Sequence, residues 1–419
     1  ATLVAALPGA PVPERYAANR ALVEENRTAL RECRSELAGT PAEQRSVAKN
    51  RTLDAVNQRI GTLNSFLASR TIATIDPETG ERRSSLYERQ FLAFDPSGAG
   101  QCAEVFGDLA TARHVAVLIP GGRNGLDTFN ALAIDARLLA DTAGPECAVV
   151  AWLGYDSVGA GTASSSQSND TVNATRARAG ASALRRFLAG LAPALPPSAR
   201  VVLVGHGFGT VLVAAALRAG HQPDGVVLVG SPGLGPRIRT VADLRPAQPG
   251  GGAEASAQVI TAHAGVRCWA LRAPGDAVAY SRAFGPDPAE FADIVRMETQ
   301  GGAEVVGHSR YYAVGSESLD NLARVVSGRL DEVTVTDTTL DEELMLVSLD
   351  DPACEGPPPV PPAPVVVLDG VLGTVGSVGD TLAASRAAKA GDAERSAGSG
   401  DTGAAGAERR SRQPHQADA

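Results

Sequence analysis

Aromatic residues are scarce in this 419-residue chain, at 4%. Alanine, valine and leucine must therefore fill its core, and small side chains at helix–sheet contacts favour closely packed layers over a wide aromatic cavity. Cysteine is also scarce. Cys33, Cys102, Cys147, Cys268 and Cys354 form no Cys-x-x-Cys pair and are odd in number. Cys147 and Cys268 each precede a strand-like apolar run and read as core thiols. A single disulfide, Cys33 to Cys102, stays open, because spacing alone does not connect cysteines. No apolar run reaches 18 residues, so no membrane span is expected. A basic stripe interleaved with aromatics is missing, and the formal net charge is -9, so no nucleic-acid partner is expected. His114, His206, His221, His263, His308 and His415 show neither a His-Glu-x-x-His motif nor clustered spacing, so no metal is expected. Gly230 to Gly235 lacks the Gly-x-Gly-x-x-Gly context before a helix, so no dinucleotide cofactor is expected either. Ala1 to Ala6 carry no basic n-region and no long apolar h-region, so no signal peptide is read there and a cytoplasmic location is favoured. The chain starts without methionine, which leaves upstream sequence open.

Hydrophobic residues make up 44%, enough for one large domain and a smaller region. Residues 14–70 read as two helices split at Gly39-Thr40-Pro41. Leu22, Leu30 and Leu37 mark the first; Leu53-Val56-Ile60-Leu63-Leu67 is a stripe at spacings of three and four in the second, as an amphipathic helix requires. These stripes must bury against the following domain or a partner. Ser84 to Asp95 alternates loosely and is expected to form a short hairpin. From His114, apolar strands alternate with helices. Strands are expected at Val115–Ile119, Ala148–Trp152, Val201–Val204, Val226–Val229, Arg267–Leu271 and Ile294–Met297. Helices are expected at Leu126–Thr142, Thr171–Leu191, Val211–Ala219 and Ser318–Val326. Continuous apolar strands between helices mean a mostly parallel sheet covered on both faces, with its site beyond the carboxyl ends of the strands. The chain thus divides into a helical region (1–84), an α/β domain (85–330), an acidic extension (331–355) and a Pro/Gly/Ala-rich tail (356–419) expected to be disordered.

Gly205-His206-Gly207-Phe208-Gly209 lies between a strand and a helix, the context of an α/β-hydrolase nucleophile elbow. Small residues flank the central position because the turn is strained and closely packed. That position is Gly207, which has no side chain to attack a carbonyl. The remaining parts follow in the order that fold requires. Asp276, in Arg272-Ala273-Pro274-Gly275-Asp276, is the candidate acid, and His308, in Gly307-His308-Ser309, the candidate base. A carboxylate orients an imidazole in such a set. The Phe208 N–H and the loop at Gly121-Gly122 are the candidate oxyanion hole. Ser231, in Gly230-Ser231-Pro232-Gly233, is an alternative nucleophile on the neighbouring strand end.

These motifs, with Pro120-Gly121 and Trp152-Leu153-Gly154-Tyr155-Asp156, make the chain resemble an actinobacterial α/β-hydrolase family long described as a domain of unknown function (DUF1023-like). The resemblance covers about residues 85–330 and extends to Arg15 and Asn19-Arg20 upstream. Members usually read Gly-His-Ser-Tyr-Gly at the elbow, and this chain departs from that at Gly207 and Phe208. The resemblance implies an α/β-hydrolase fold and the serine-hydrolase class, acting on esters or amides, with Gly207, Asp276 and His308 at the nucleophile, acid and base positions.

Three functions follow. The chain is a pseudoenzyme or impaired hydrolase that holds a small acyl-type ligand; or it is a working hydrolase that uses Ser231 or a water activated by His308; or its helical region and tail carry a structural role. Gly207 makes the first the leading expectation, and whether the chain is an enzyme stays open.

Overall fold

The computed structural model describes residues 10–75, 82–122, 124–156, 167–246, 266–340 and 342–343. The chain opens with two helices, α1 (Val12–Ala38) and α2 (Val47–Leu67). The Ser46 hydroxyl caps α2 by accepting from the Lys49 N–H, which satisfies one of the free donors of a first turn. Val56, Ile60 and Leu63 of the stripe read from the sequence are buried, joined by Phe66, which that stripe did not include, while Leu53 and Leu67 are half-buried.

A two-stranded antiparallel pair follows, β1 (Arg70–Ile75) with β2 (Arg82–Tyr87). Next come β3 (Gln90–Asp95), β4 (Gln101–Phe106), β5 (His114–Ile119), α3 (Phe129–Ala143), β6 (Cys147–Leu153), α4 (Gln167–Leu191), β7 (Arg200–His206), α5 (Phe208–Arg218), β8 (Gly225–Val229) and β9 (Arg267–Leu271). The short α6 (Ala277–Ser281), β10 (Val295–Arg296) and α7 (Glu317–Val326) complete the order. The main sheet has eight strands in the order β10-β9-β8-β7-β5-β6-β4-β3. β3 and β4 are antiparallel additions to an otherwise parallel array.

Every residue of β6 and of β8 is buried, which is why their sequences are unbroken apolar runs. Alternate residues feed two cores. Ala116, Leu118, Val149, Val202 and Val204 pack with α1, α2, α3 and α7. Val115, Val117, Ala148, Val150 and Leu203 pack with α4 and α5 on the opposite face. Period-two alternation between two covered faces is what a central parallel strand demands.

The first helix closes the open edge of the sheet. Arg15 donates to the carbonyls of Leu92 (3.1 Å) and Gly190 (3.3 Å), and Asn19 donates to the Phe91 carbonyl (2.9 Å). The pairing of β3 with β4 shifts register between Phe91 and Ala93. That bulge lets one helix reach two successive carbonyls, which in a regular strand point to opposite sides. Beneath α2, Arg89 and Glu104 form a buried bidentate pair at 2.7 and 2.5 Å. The Arg89 guanidinium also donates to Asn130 and lies over the rings of Phe66 and Phe91.

Several expectations need correction. Ser84 to Asp95 is not a hairpin, because β2 pairs back to β1 while β3 pairs forward to β4. Cys33 and Cys102 are both free thiols. The helix expected from Val211 starts at Phe208, directly after the elbow. The acidic extension is described only for residues 331–340 and 342–343. Val335 bridges to Met297 beside β10, and Glu343 turns inward to accept from the buried Arg272 (2.8 Å) and from Arg296. The tail lies outside the described residues.

Candidate active site

The strand-turn-helix at 200–218 is an elbow. Gly207 has φ +53° and ψ −123°, a region that side-chain-bearing residues enter only under strain. Its N–H donates to the Val229 carbonyl (2.9 Å), pinning the turn to β8. The flanking glycines permit close packing. A β-carbon on Gly209 would lie 2.4 Å from the Ile119 carbonyl oxygen, and one on Gly205 would lie 3.0 Å from the Gly209 backbone.

Asp276 is fully buried at the N-terminus of α6. Its Oδ1 accepts from the backbone of Val278 (2.9 Å) and Ala279 (3.0 Å), and its Oδ2 accepts from the Tyr311 hydroxyl (2.6 Å). His308 Nδ1 is 3.0 Å from both oxygens. Burial pushes the Asp276 carboxyl up, but the bonds from His308, Tyr311 and Ala279 outweigh it and hold the group below its ordinary value. It is therefore an anion at neutral pH, able to fix the imidazole with Nδ1 protonated and Nε2 free. Gly230 makes this approach feasible, since a β-carbon there would lie 2.6 Å from Asp276 Oδ2 and 2.9 Å from His308 Nδ1.

His308 points at the elbow. A β-carbon on Gly207 would stand 2.8 Å from Nε2, so the ring leans into space that a serine side chain would fill. The imidazole keeps 29% exposure, so solvent reaches it. His206 steadies it from behind. Its Nε2 is 2.8 Å from the His308 carbonyl oxygen, and the two rings are 4.5 Å apart. Burial, followed by the charge of His308, lowers the His206 imidazole to about 3. It is neutral, and its Nε2–H donates to that carbonyl.

The Phe208 N–H opens α5, where a first turn offers it no intrahelical acceptor. Gly121 lies against it: a β-carbon on Gly121 would be 3.5 Å from Phe208 N and 3.1 Å from the His206 carbonyl oxygen. The Tyr155 hydroxyl shares its proton between the carbonyls of Pro120 (2.7 Å) and Gly121 (3.0 Å). Asn124 donates to the carbonyls of Gly121 and Gly122. These contacts fix the peptide planes of the loop and hold Gly121 against the Phe208 N–H.

Ser231 is buried and otherwise engaged. The Thr210 hydroxyl donates to the Gly207 carbonyl (2.7 Å) and lies 2.7 Å from the Ser231 hydroxyl. Thr210 has one proton, so Ser231 donates to Thr210 and accepts weakly from the Gly233 N–H (3.3 Å). The Ser231 proton is aimed at Thr210 rather than at His308. Sequence reasoning missed Tyr311 and the close-approach role of Gly230, and it placed Tyr155 in a family motif without giving it a role. The signal available for Tyr311 was only a tyrosine three residues beyond the histidine.

The eight-stranded sheet, the elbow and the Asp276–His308 pair beyond the strand ends define the α/β-hydrolase fold. A family model described as alpha/beta hydrolase (Abhydrolase_8) matches residues 95–248. This corrects the narrower resemblance: the matching family is that one and not the DUF1023-type domain. An uncharacterized protein of Mycobacterium tuberculosis, found in strains CDC 1551 / Oshkosh and ATCC 25618 / H37Rv, is 28% identical over 273 residues. The match takes in 57% of this chain, which spans 39% of those relatives. Among solved structures, an ester hydrolase from the metagenome of Lake Arreo is 13% identical, with 72% of this chain and 98% of that one covered at a TM-score of 0.34. A carboxylesterase from Mesorhizobium loti is 16% identical, with 55% and 95% covered at a TM-score of 0.33. Among the described residues, no helix is long and apolar enough to cross a membrane.

Proposed function

We propose that the chain is a hydrolase of small acyl compounds, esters or amides, in which His308 activates water directly. One observation carries this reading: the Asp276–His308 pair is intact and aimed at an elbow that keeps its shape without a nucleophile. A carboxylate held as an anion makes the imidazole a base. Nε2 takes a proton from water as the oxygen bonds to the acyl carbon. The carbonyl oxygen gains the electron pair and accepts hydrogen bonds from the Phe208 N–H and the Gly121-Gly122 loop. Collapse breaks the bond to the leaving group, which receives the proton from the imidazolium. No bond to the protein forms. The commitment of the Ser231 hydroxyl to Thr210 favours water over Ser231 as the nucleophile.

Pre-steady-state hydrolysis of a p-nitrophenyl ester tests this. Release of nitrophenol should be linear from the first turnover, and the intact protein should keep its mass. A burst of about one equivalent with an acyl group on Ser231 would assign the chemistry to that serine instead.

A further inference from the structure

Tyr311 stands outside every motif that pointed to the site, yet it touches the acid directly. Its side chain is fully buried. Its hydroxyl donates to Asp276 Oδ2 at 2.6 Å and accepts from the Ala273 N–H at 2.9 Å. The first distance is that of a charge-assisted O–H···O⁻ bond. The second ties the phenol to the end of β9, the strand that delivers Asp276. Tyr311 and His308 share one loop, so a single segment supplies both the base and a clamp on the acid. The carboxylate is thereby gripped from two sides, by the first turn of α6 on Oδ1 and by Tyr311 on Oδ2.

We infer that Tyr311 is a positioning residue that sets the base strength of His308 through Asp276. This rests on the reading of the Asp276–His308 pair as the reacting base. A donor on the carboxylate draws off part of its negative charge. Less charge then faces Nδ1, and the imidazolium is less stabilised. Tyr311 thus weakens the pull of the carboxylate on an imidazolium while it fixes the plane of the carboxylate. The other titratable groups facing the pair are His206, from the end of β7, and Tyr280, from α6. His206 is held neutral, to about 3, by burial and by the charge of His308. The Tyr280 phenol, raised by burial, bonds to the Gly275 N–H. Neither donates to the carboxylate.

The test follows the His308 Cε1–H resonance in full-length protein labelled at histidine and assigned with His308→Ala. Tyr311→Phe removes the donor at nearly constant volume. The His308 midpoint should rise by roughly 0.5–1 pH unit, the size expected when one hydrogen bond to a neighbouring charge is lost. Site-specific 3,5-difluorotyrosine at 311 strengthens the donor without removing it and should move the midpoint down. It also serves if Tyr311→Phe does not fold. A purely structural tyrosine would lower the melting temperature in Tyr311→Phe and leave the midpoint unmoved in both proteins, and that result overturns the inference. Ester turnover is measured on the same samples. Shifts in opposite directions without wild-type turnover would sink the hydrolase reading while leaving the clamp standing. Turnover lost in His308→Ala, with midpoints unmoved at 311, would do the reverse.

Discussion

With φ +53° and ψ −123°, Gly207 holds the backbone of a nucleophile elbow without its hydroxyl. His308 has taken up the space, with Nε2 2.8 Å from where a β-carbon would sit. Adding a serine therefore has two costs. The turn is strained for any side chain, at about 1–3 kcal/mol, and the imidazole must withdraw by several tenths of an ångström. Its exposed edge gives it room to do so. Gly207→Ser is expected to lower the free energy of unfolding by about that strain and to gain covalent labelling at residue 207 by a fluorophosphonate. Gly207→Ala should be similarly destabilised and remain unlabelled. Urea unfolding and intact-protein mass spectrometry read both. A folded Gly207→Ser that stays unlabelled would mean that His308 does not retreat to the distance a serine needs. The order Gly207, Asp276, His308 was readable because Gly207 and Asp276 each follow an apolar strand, β7 and β9, and the histidine comes after them in the chain order this fold requires. The contacts of Tyr311 and Tyr155 were not, because each acts through one hydroxyl on a group distant in sequence, and no spacing rule marks such a contact.

Among the elements, those buried on both faces were the most readable. β6 and β8 are unbroken apolar runs because helices cover both of their sides. β3 and β4 lie at the antiparallel edge, and β4 carries Glu104 inside the core. A charge in a strand hides it from any hydrophobic pattern. Loose alternation at 84–95 suggested a hairpin because alternation identifies a strand and not its partner. Glu104 pairs with Arg89 under α2, with Phe66 and Phe91 against the guanidinium. Removing one member of such a buried bidentate pair is strongly destabilising. Arg89→Met should destabilise the protein by about 3–5 kcal/mol, and Arg89→Met/Glu104→Leu should recover most of that. Denaturant unfolding with both variants checks this. A loss below about 1 kcal/mol in the single variant would show that water or another cation replaces the guanidinium.

For the molecule as a whole, two cores on opposite faces of one sheet hold the strand ends in register. β7, β8 and β9 lie side by side, so the elbow, the Gly230 turn and the Asp276 loop meet at one end of the sheet. That convergence follows from topology alone and was readable from the strand–helix alternation. The docking of α1 was readable only in part. Its apolar positions required burial somewhere, but the bonds from Arg15 and Asn19 to the β3 carbonyls depend on a bulge that no pattern announces. The account stands on His308 acting as a base on water at this end of the sheet. Steady-state hydrolysis of p-nitrophenyl acetate by wild type and by His308→Ala, both shown to be folded, tests it most directly. Loss of a positioned general base should cut the rate by about 10²–10⁴-fold. Equal rates in the two proteins would contradict it and leave the Asp276–His308 pair without a catalytic role.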